Sequence, residues 1–219
     1  GVSHCFKYMR LEQYEDTLNN IEMKKQDGVQ TLFGDDYLIQ YMLNLEAKES
    51  LLNMRAFKNP FDYTMKITEH NESKERNIDV CETFNYLIGL TVNSQSKIDR
   101  YDARPSCEPK YEGAVDLEAS EQGKFAFRQI EGTVLDADGN KLKVLVIWRN
   151  ITDNLLESNA ALDAYFKKYR IRVDDIKKHI YDIIYVNGDN NLANLRNDED
   201  TWKVVMTETE FNKRMFEEE

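Results

Sequence analysis

Phe125-Ala-Phe-Arg-Gln-Ile-Glu-Gly-Thr-Val-Leu135, then Asp136-Ala-Asp-Gly-Asn140, then Lys141-Leu-Lys-Val-Leu-Val-Ile-Trp148 reads as two strands joined by a turn. Aromatic and β-branched residues suit a pleated, half-buried surface, and Asp-Gly supplies the positive-φ position of a tight hairpin turn. Val144 to Trp148 is apolar at every position, so the second strand belongs in the middle of a sheet covered on both faces.

Working outward from this hairpin, Asn150 and Asp153 offer helix caps, and Leu155, Leu162, Phe166 and Tyr169 mark a helix of about four turns. Residues 180–186 form another apolar strand, closed by Asn187-Gly188-Asp189. Strand, helix, strand implies a parallel βαβ crossover. A strand at 203–206 and a short acidic helix over 208–216 follow. Upstream, Val80, Phe84, Leu87 and Ile88 share one face of a helix starting at Asp79, with Gly89 to cap it and a strand over 90–92 after it. Residues 63–68 read as a strand and 70–77 as a polar loop or hairpin tip. Residues 94–122 are polar, carry Pro105 and Pro109, lack periodicity, and read as a mobile loop. Nearer the start, a strand over 5–11 and helices over 14–25 and 38–45 make a 1–58 arm. The expected fold is α/β: a mixed sheet flanked by helices, with a central hairpin and a βαβ crossover over 59–219.

The 219 residues carry 29 Lys and Arg against 40 Asp and Glu, a net charge of −11, which repels a polyanion on average. Only a local basic strip could hold nucleic acid. One exists: Lys167, Lys168, Arg170 and Arg172, continued by Lys177 and Lys178 and interleaved with Tyr165, Phe166 and Tyr169. A solvated helix end completing the dipole ranks ahead of phosphate contact for it. The acidic end, Glu217-Glu218-Glu219, reads as solubilising.

Three cysteines (Cys5, Cys81, Cys107) without Cys-x-x-Cys fit a reducing cytoplasm rather than a disulfide framework or zinc site. His4, His70 and His179 lack ligand spacing, so no metal is expected. No run of about 18 apolar residues spans a membrane. Asn187 and Asp189 form a strand-end loop, first of all a turn, though ligands favour the carboxyl ends of parallel strands. Asn71-Glu-Ser73 and Asn150-Ile-Thr152 match a glycosylation sequon too short to carry weight.

Catalytic motifs are missing. The chain has no glycine-rich methyl-donor loop, no Asp-Pro-Pro-Tyr-type tetrapeptide, no Walker loop and no nucleophile elbow. The element order matches the core of restriction-endonuclease-like folds. Such enzymes need carboxylates on the second and third core strands to hold a divalent cation. Here the third reads Val144-Leu-Val-Ile-Trp-Arg149, and Asp136 and Asp138 sit in the turn. Active nuclease chemistry is therefore rejected.

Several blocks carry a family resemblance: Phe6-Lys-Tyr-Met-Arg-Leu-Glu-Gln-Tyr-Glu-Asp-Thr-Leu-Asn-Asn20, Ser50-Leu-Leu-Asn53, Asn59-Pro-Phe-Asp62, Val80-Cys-Glu-Thr-Phe-Asn-Tyr-Leu-Ile-Gly-Leu90, Val146-Ile-Trp-Arg-Asn150 and Tyr185-Val-Asn-Gly-Asp-Asn-Asn-Leu192. In this order they resemble the C-terminal region of type III restriction–modification adenine-specific DNA methyltransferases. The resemblance implies a parent enzyme that moves a methyl group from S-adenosylmethionine to N6 of adenine. Its methyl-donor loop, adenine-holding tetrapeptide and target-recognition insert would all precede Gly1, and the start Gly1-Val-Ser-His-Cys-Phe6 reads as a cut inside a longer chain. Residues 1–58 would continue from the upstream methyltransferase core. The expected role is non-catalytic, with no cofactor of its own: assembly with the upstream domain, a second copy or a restriction subunit, or contact with DNA.

Overall fold

The computed structural model describes residues 7–10, 13, 16, 54–69, 72–109, 111–174, 181–196 and 202–216. The chain divides into two compact units, Gly1–Asn53 with Thr64–Ile78, and Met54–Tyr63 with Asp79–Glu219. The expected arm over 1–58 and domain over 59–219 thus trade segments: residues 54–58 pack with the larger unit and 64–78 with the smaller.

In the smaller unit, β1 (Thr64–Glu69) and β2 (Glu72–Asn77) form an antiparallel hairpin, Thr64 opposite Asn77 and Glu69 opposite Glu72. The polar stretch expected as a loop tip is largely the second strand of that hairpin. Its charges face water, where strand backbone needs only a partner's hydrogen bonds. Thr68 N–H donates to Asp16 Oδ1 at 2.8 Å, and Arg10 and Arg76 both bond the Glu69 carboxylate, at 2.7 and 2.9 Å. Lys7–Arg10 has no regular structure, and the rest of the strand expected at 5–11 lies outside the described residues. So do the two expected helices, Asp16 apart.

The larger unit is built on β6 (Phe125–Leu135) and β7 (Lys141–Arg149), the hairpin read from the sequence. They pair from Phe127 opposite Arg149 to Leu135 opposite Lys141. Asp136 shapes the turn: Oδ1 accepts the N–H groups of Asp138 and Asn140 at 2.9 and 2.7 Å, and Gly139 takes φ +81°. A 20-residue helix follows, labelled αC (Leu155–Asp174), then β8 (Ile183–Val186), which pairs parallel to β7 as the crossover reading requires. After a short 3-10 turn (Leu192–Leu195) comes β9 (Lys203–Met206), parallel to β8, and then helix αD (Thr207–Phe216).

Ahead of this core stand helix αA (Met54–Lys58), helix αB (Val80–Leu87), β3 (Thr91–Gln95), β4 (Asp99–Pro105) and β5 (Val115–Ala119). Asp79 caps αB by accepting Glu82 N–H at 2.9 Å. The sheet order is β5-β4-β6-β7-β8-β9, with β3 pairing β6 beyond β4. Gly132 makes that second pairing possible: a Cβ there would run into the Thr91 carbonyl. Residues 94–122, expected as a loop, therefore contain all of β4 and β5 and the last two residues of β3. The fold is a mixed α/β sheet flanked by helices.

Strand alternation sorts the core into two layers. Val144, Val146 and Trp148 face one side, with Ile130, Val134, Tyr185, Phe57, Phe84 and Phe211. Leu145 and Ile147 face the other, with Phe125, Phe127, Tyr101, Leu162, Tyr165 and Trp202. Each such side chain contributes about 1.5–3 kcal/mol through burial. Among the described residues no helix is long and apolar enough to cross a membrane.

Candidate functional site

Three parallel strands, β7, β8 and β9, end side by side, and each is followed at once by a polar group: Arg149 closes β7, Asn187 follows β8, and Thr207-Glu208 follows β9. Carboxyl ends of parallel strands are where open α/β sheets place ligands. Here the groups turn on one another.

Arg149 is fully buried. Its guanidinium donates through Nε to Asn187 O at 3.2 Å, through Nη1 to Ser158 O and Asn159 Oδ1, both 2.9 Å, and through Nη2 to Asp189 O at 2.9 Å. Those four bonds use most of the five donors of the fork. Asn187 is equally buried and fully engaged. Its Oδ1 accepts Arg149 N–H at 2.9 Å, and its Nδ2 donates to Phe57 O at 2.6 Å and Arg149 O at 2.8 Å. Burial pulls the Arg149 pKa down to about 10, while Glu208, Asp163 and Asp189 oppose that fall. The group stays charged at pH 7, and those carboxylates compensate it.

Glu208 Oε1 accepts Gly188 N–H at 2.7 Å, fixing the turn after β8 to the first turn of αD. Burial raises the Glu208 pKa, against the hydrogen bonds it accepts and the Arg149 charge. Asp163, on αC, is likewise raised by burial, with Tyr111, Lys167 and Arg149 pulling the other way. Tyr111 Oη donates to Asp163 Oδ2 at 3.1 Å, and burial with the Asp163 charge pushes that phenol to about 12. The second oxygen, Asp163 Oδ1, is buried and has no hydrogen-bond partner among the described residues.

Comparison of the chain with protein-family models, with curated proteins and with solved structures finds no match.

Of the residues singled out in the sequence, Asn187 lies in this knot, and Asp189 enters it through its backbone carbonyl while its side chain stays exposed. Lys167 and Lys168 stand on αC with their Nζ atoms 5.2 Å from the Tyr111 ring centre and 4.8 Å from that of Tyr101. Arg170 and Arg172 continue the same helix, and Lys177 and Lys178 lie outside the described residues, as do His4, His70 and His179. Among the described residues no group of His, Cys, Asp and Glu is arranged to hold a metal ion. Cys81 is buried and its thiol is pushed up to about 12 by burial, so it is a poor nucleophile.

Sequence reading missed Arg149, Asn159, Asp163, Glu208 and Tyr111. The available signal was an arginine ending an apolar strand beside an asparagine ending the next. Taken together, these groups form a strut. A guanidinium turned on protein carbonyls has little left for a substrate anion, and an amide with both ends engaged has nothing to offer a ligand.

Proposed function

We propose that this chain is the non-catalytic C-terminal part of an adenine-specific, S-adenosylmethionine-dependent DNA methyltransferase of the type III restriction–modification kind, working in the cytoplasm. Its task is assembly with the upstream methyltransferase domain, with a second copy, or with a restriction subunit. The methyl donor belongs to the upstream domain.

One observation carries the non-catalytic reading: the carboxyl ends of the parallel strands are closed by the Arg149–Asn187 knot. Two blocks of the family resemblance, Val146–Asn150 and Tyr185–Leu192, meet in that knot, so their residues have a structural reason to occur together. Assembly draws support from the surface. Leu155 and Leu156 at the start of αC and Met206 at the end of β9 are exposed, Leu156 at 81%. Exposed large apolar side chains suit a protein partner. The order hairpin, αC, β8 keeps restriction-endonuclease-like topology as a fold analogy. No cleavage is proposed, because Asp136 is engaged in its own turn and β7 carries no carboxylate.

Light scattering on the chain alone and mixed with the upstream domain tests this. Self-association or a mixed complex is expected, and Leu156→Glu should weaken it at least tenfold. A strict monomer that binds neither overturns the assembly role. Titration calorimetry with S-adenosylmethionine should be silent, and micromolar binding overturns the non-catalytic assignment.

A further inference from the structure

Asn187-Gly188 is the sole Asn-Gly step in the 219 residues. At such a step a chain most readily attacks itself. Glycine has no Cβ to shield or stiffen its amide nitrogen, which can reach the side-chain carbonyl carbon of the asparagine before it and expel ammonia. The fold keeps glycine here, because Gly188 takes φ +75°, where a side chain would be strained.

In the folded chain neither reacting group is at liberty. Asn187 is fully buried; its Oδ1 accepts Arg149 N–H at 2.9 Å, and its Nδ2 donates to Phe57 O at 2.6 Å and Arg149 O at 2.8 Å. Those bonds hold the amide toward β7 and αA. Gly188 N–H turns to αD instead, donating to Glu208 Oε1 at 2.7 Å. Closing a ring between the two requires the amide to leave its three partners and the Gly188 N–H to leave its carboxylate.

We propose that Asn187 is a spontaneous modification site that folding holds shut, and that its product cannot re-form the knot, so prolonged unfolding becomes irreversible. Gly188 N gives its proton to a solvent base, and its electron pair forms a bond to Asn187 Cγ. Nδ2 departs as ammonia with a proton from solvent, leaving a five-membered succinimide. Water then opens the ring. If the new N–Cγ bond breaks, residue 187 becomes aspartate; if the old backbone C–N bond breaks, it becomes isoaspartate. Aspartate offers an oxygen to the Phe57 and Arg149 carbonyls where Nδ2 now donates. Isoaspartate adds a carbon to the backbone directly after β8. The time spent open thus sets what fraction of chains can refold. This inference rests on the knot alone and is independent of the assembly reading.

The test is peptide mapping by mass spectrometry after incubation at pH 8, in native buffer and in guanidinium chloride above the unfolding midpoint. The tryptic peptide 179–196 holds Asn187 together with Asn190, Asn191 and Asn194, which precede residues with side chains and serve as internal references. In denaturant a gain of about 1 Da is expected at residue 187 well ahead of the references. In native buffer conversion should be at least about a hundredfold slower, because it proceeds only through the open fraction. On removal of denaturant, unconverted chains should regain native tryptophan fluorescence and converted ones should not. Gly188→Ala, read in denaturant where folding is not required, should slow the conversion at least about tenfold. Equal rates in native buffer and denaturant overturn the protection. No preference for Asn187 over the references, or an unchanged rate in Gly188→Ala, overturns the site. Converted chains that refold with the wild-type midpoint overturn the irreversibility.

Discussion

Arg149 and Asn187 hold each other by backbone and side chain at once: Asn187 accepts the Arg149 N–H and donates to the Arg149 carbonyl, and the Arg149 Nε donates to the Asn187 carbonyl. The reciprocal bonds extend the β7–β8 pairing one step past the last ladder partners, Ile147 and Val186. They also reach αA through Phe57 and αC through Ser158 and Asn159. One residue pair therefore ties both helical layers to the centre of the sheet.

Asn187→Asp should be more damaging than Asn187→Ala. The aspartate would place an acceptor where Nδ2 now donates to two carbonyls, turning two attractions into repulsions in a buried site. Removing one partner from a buried charged network costs about 3–5 kcal/mol. Urea denaturation at pH 7 is expected to show a loss of that order for Arg149→Ala. A loss below about 1 kcal/mol would mean that the knot is incidental to the fold.

Glu208 gives the stability a pH dependence whose sign is fixed by the direction of its shift. Burial raises its folded pKa above the ordinary 4.5, so folding favours the protonated form. The associated stability is fully present below the unfolded pKa and is lost as pH rises through the folded value. Glu208→Gln keeps an acceptor for Gly188 N–H and removes the titration. Urea midpoints of wild type and variant, compared from pH 4 to 8, should shift in favour of the glutamine as pH rises. A shift in favour of the glutamate would place the Arg149 attraction above the burial cost and reverse the account.

Tyr111→Phe removes the hydrogen bond to Asp163 and leaves a buried carboxylate poorer by a donor. Stranding a buried acceptor costs about 1–3 kcal/mol, and the half-exposed site, where water can replace the phenol, favours the low end. Limited proteolysis should also cut faster between 106 and 114. Equal cutting rates in the two proteins would show that Tyr111 does not latch that segment.

Legibility followed how local the physics was. The β6–β7 hairpin, αB, αC and β8 announce themselves by periodicity and turn chemistry within a few residues. β4 does not, because it is covered on one face only. Tyr101 packs under αC while Arg104 on the opposite face pairs with Glu118 of β5, so the strand reads as polar. Its backbone is paired to β5 across a polar connection and to β6, more than twenty residues away in sequence. Arg149 was hidden for a related reason: an arginine after an apolar run reads as the exposed end of a strand. Ser158, Asn159, Asn187 and the Asp189 carbonyl, brought in by the crossover, make it a buried strut. The basic strip was legible as charge, but its tyrosine platforms depend on β4 and the loop before β5.

Cysteine chemistry offers an independent check on the core. Cys81 lies on αB against Phe84 and the sheet, 1% exposed, with its thiol pushed up to about 12 by burial. Cys107 is exposed. Thiolate is the reacting species, so at pH 8 almost none is available at Cys81 while the chain is folded. Iodoacetamide followed by peptide mass mapping should label Cys107 within minutes and Cys81 only as fast as αB opens. Adding urea to the midpoint should bring the two rates within about tenfold, since Cys81 is then exposed in half the molecules. Matching rates in native buffer would mean that αB does not shield its thiol, and the layer formed by Phe84, Trp148 and Tyr185 would have to be redrawn.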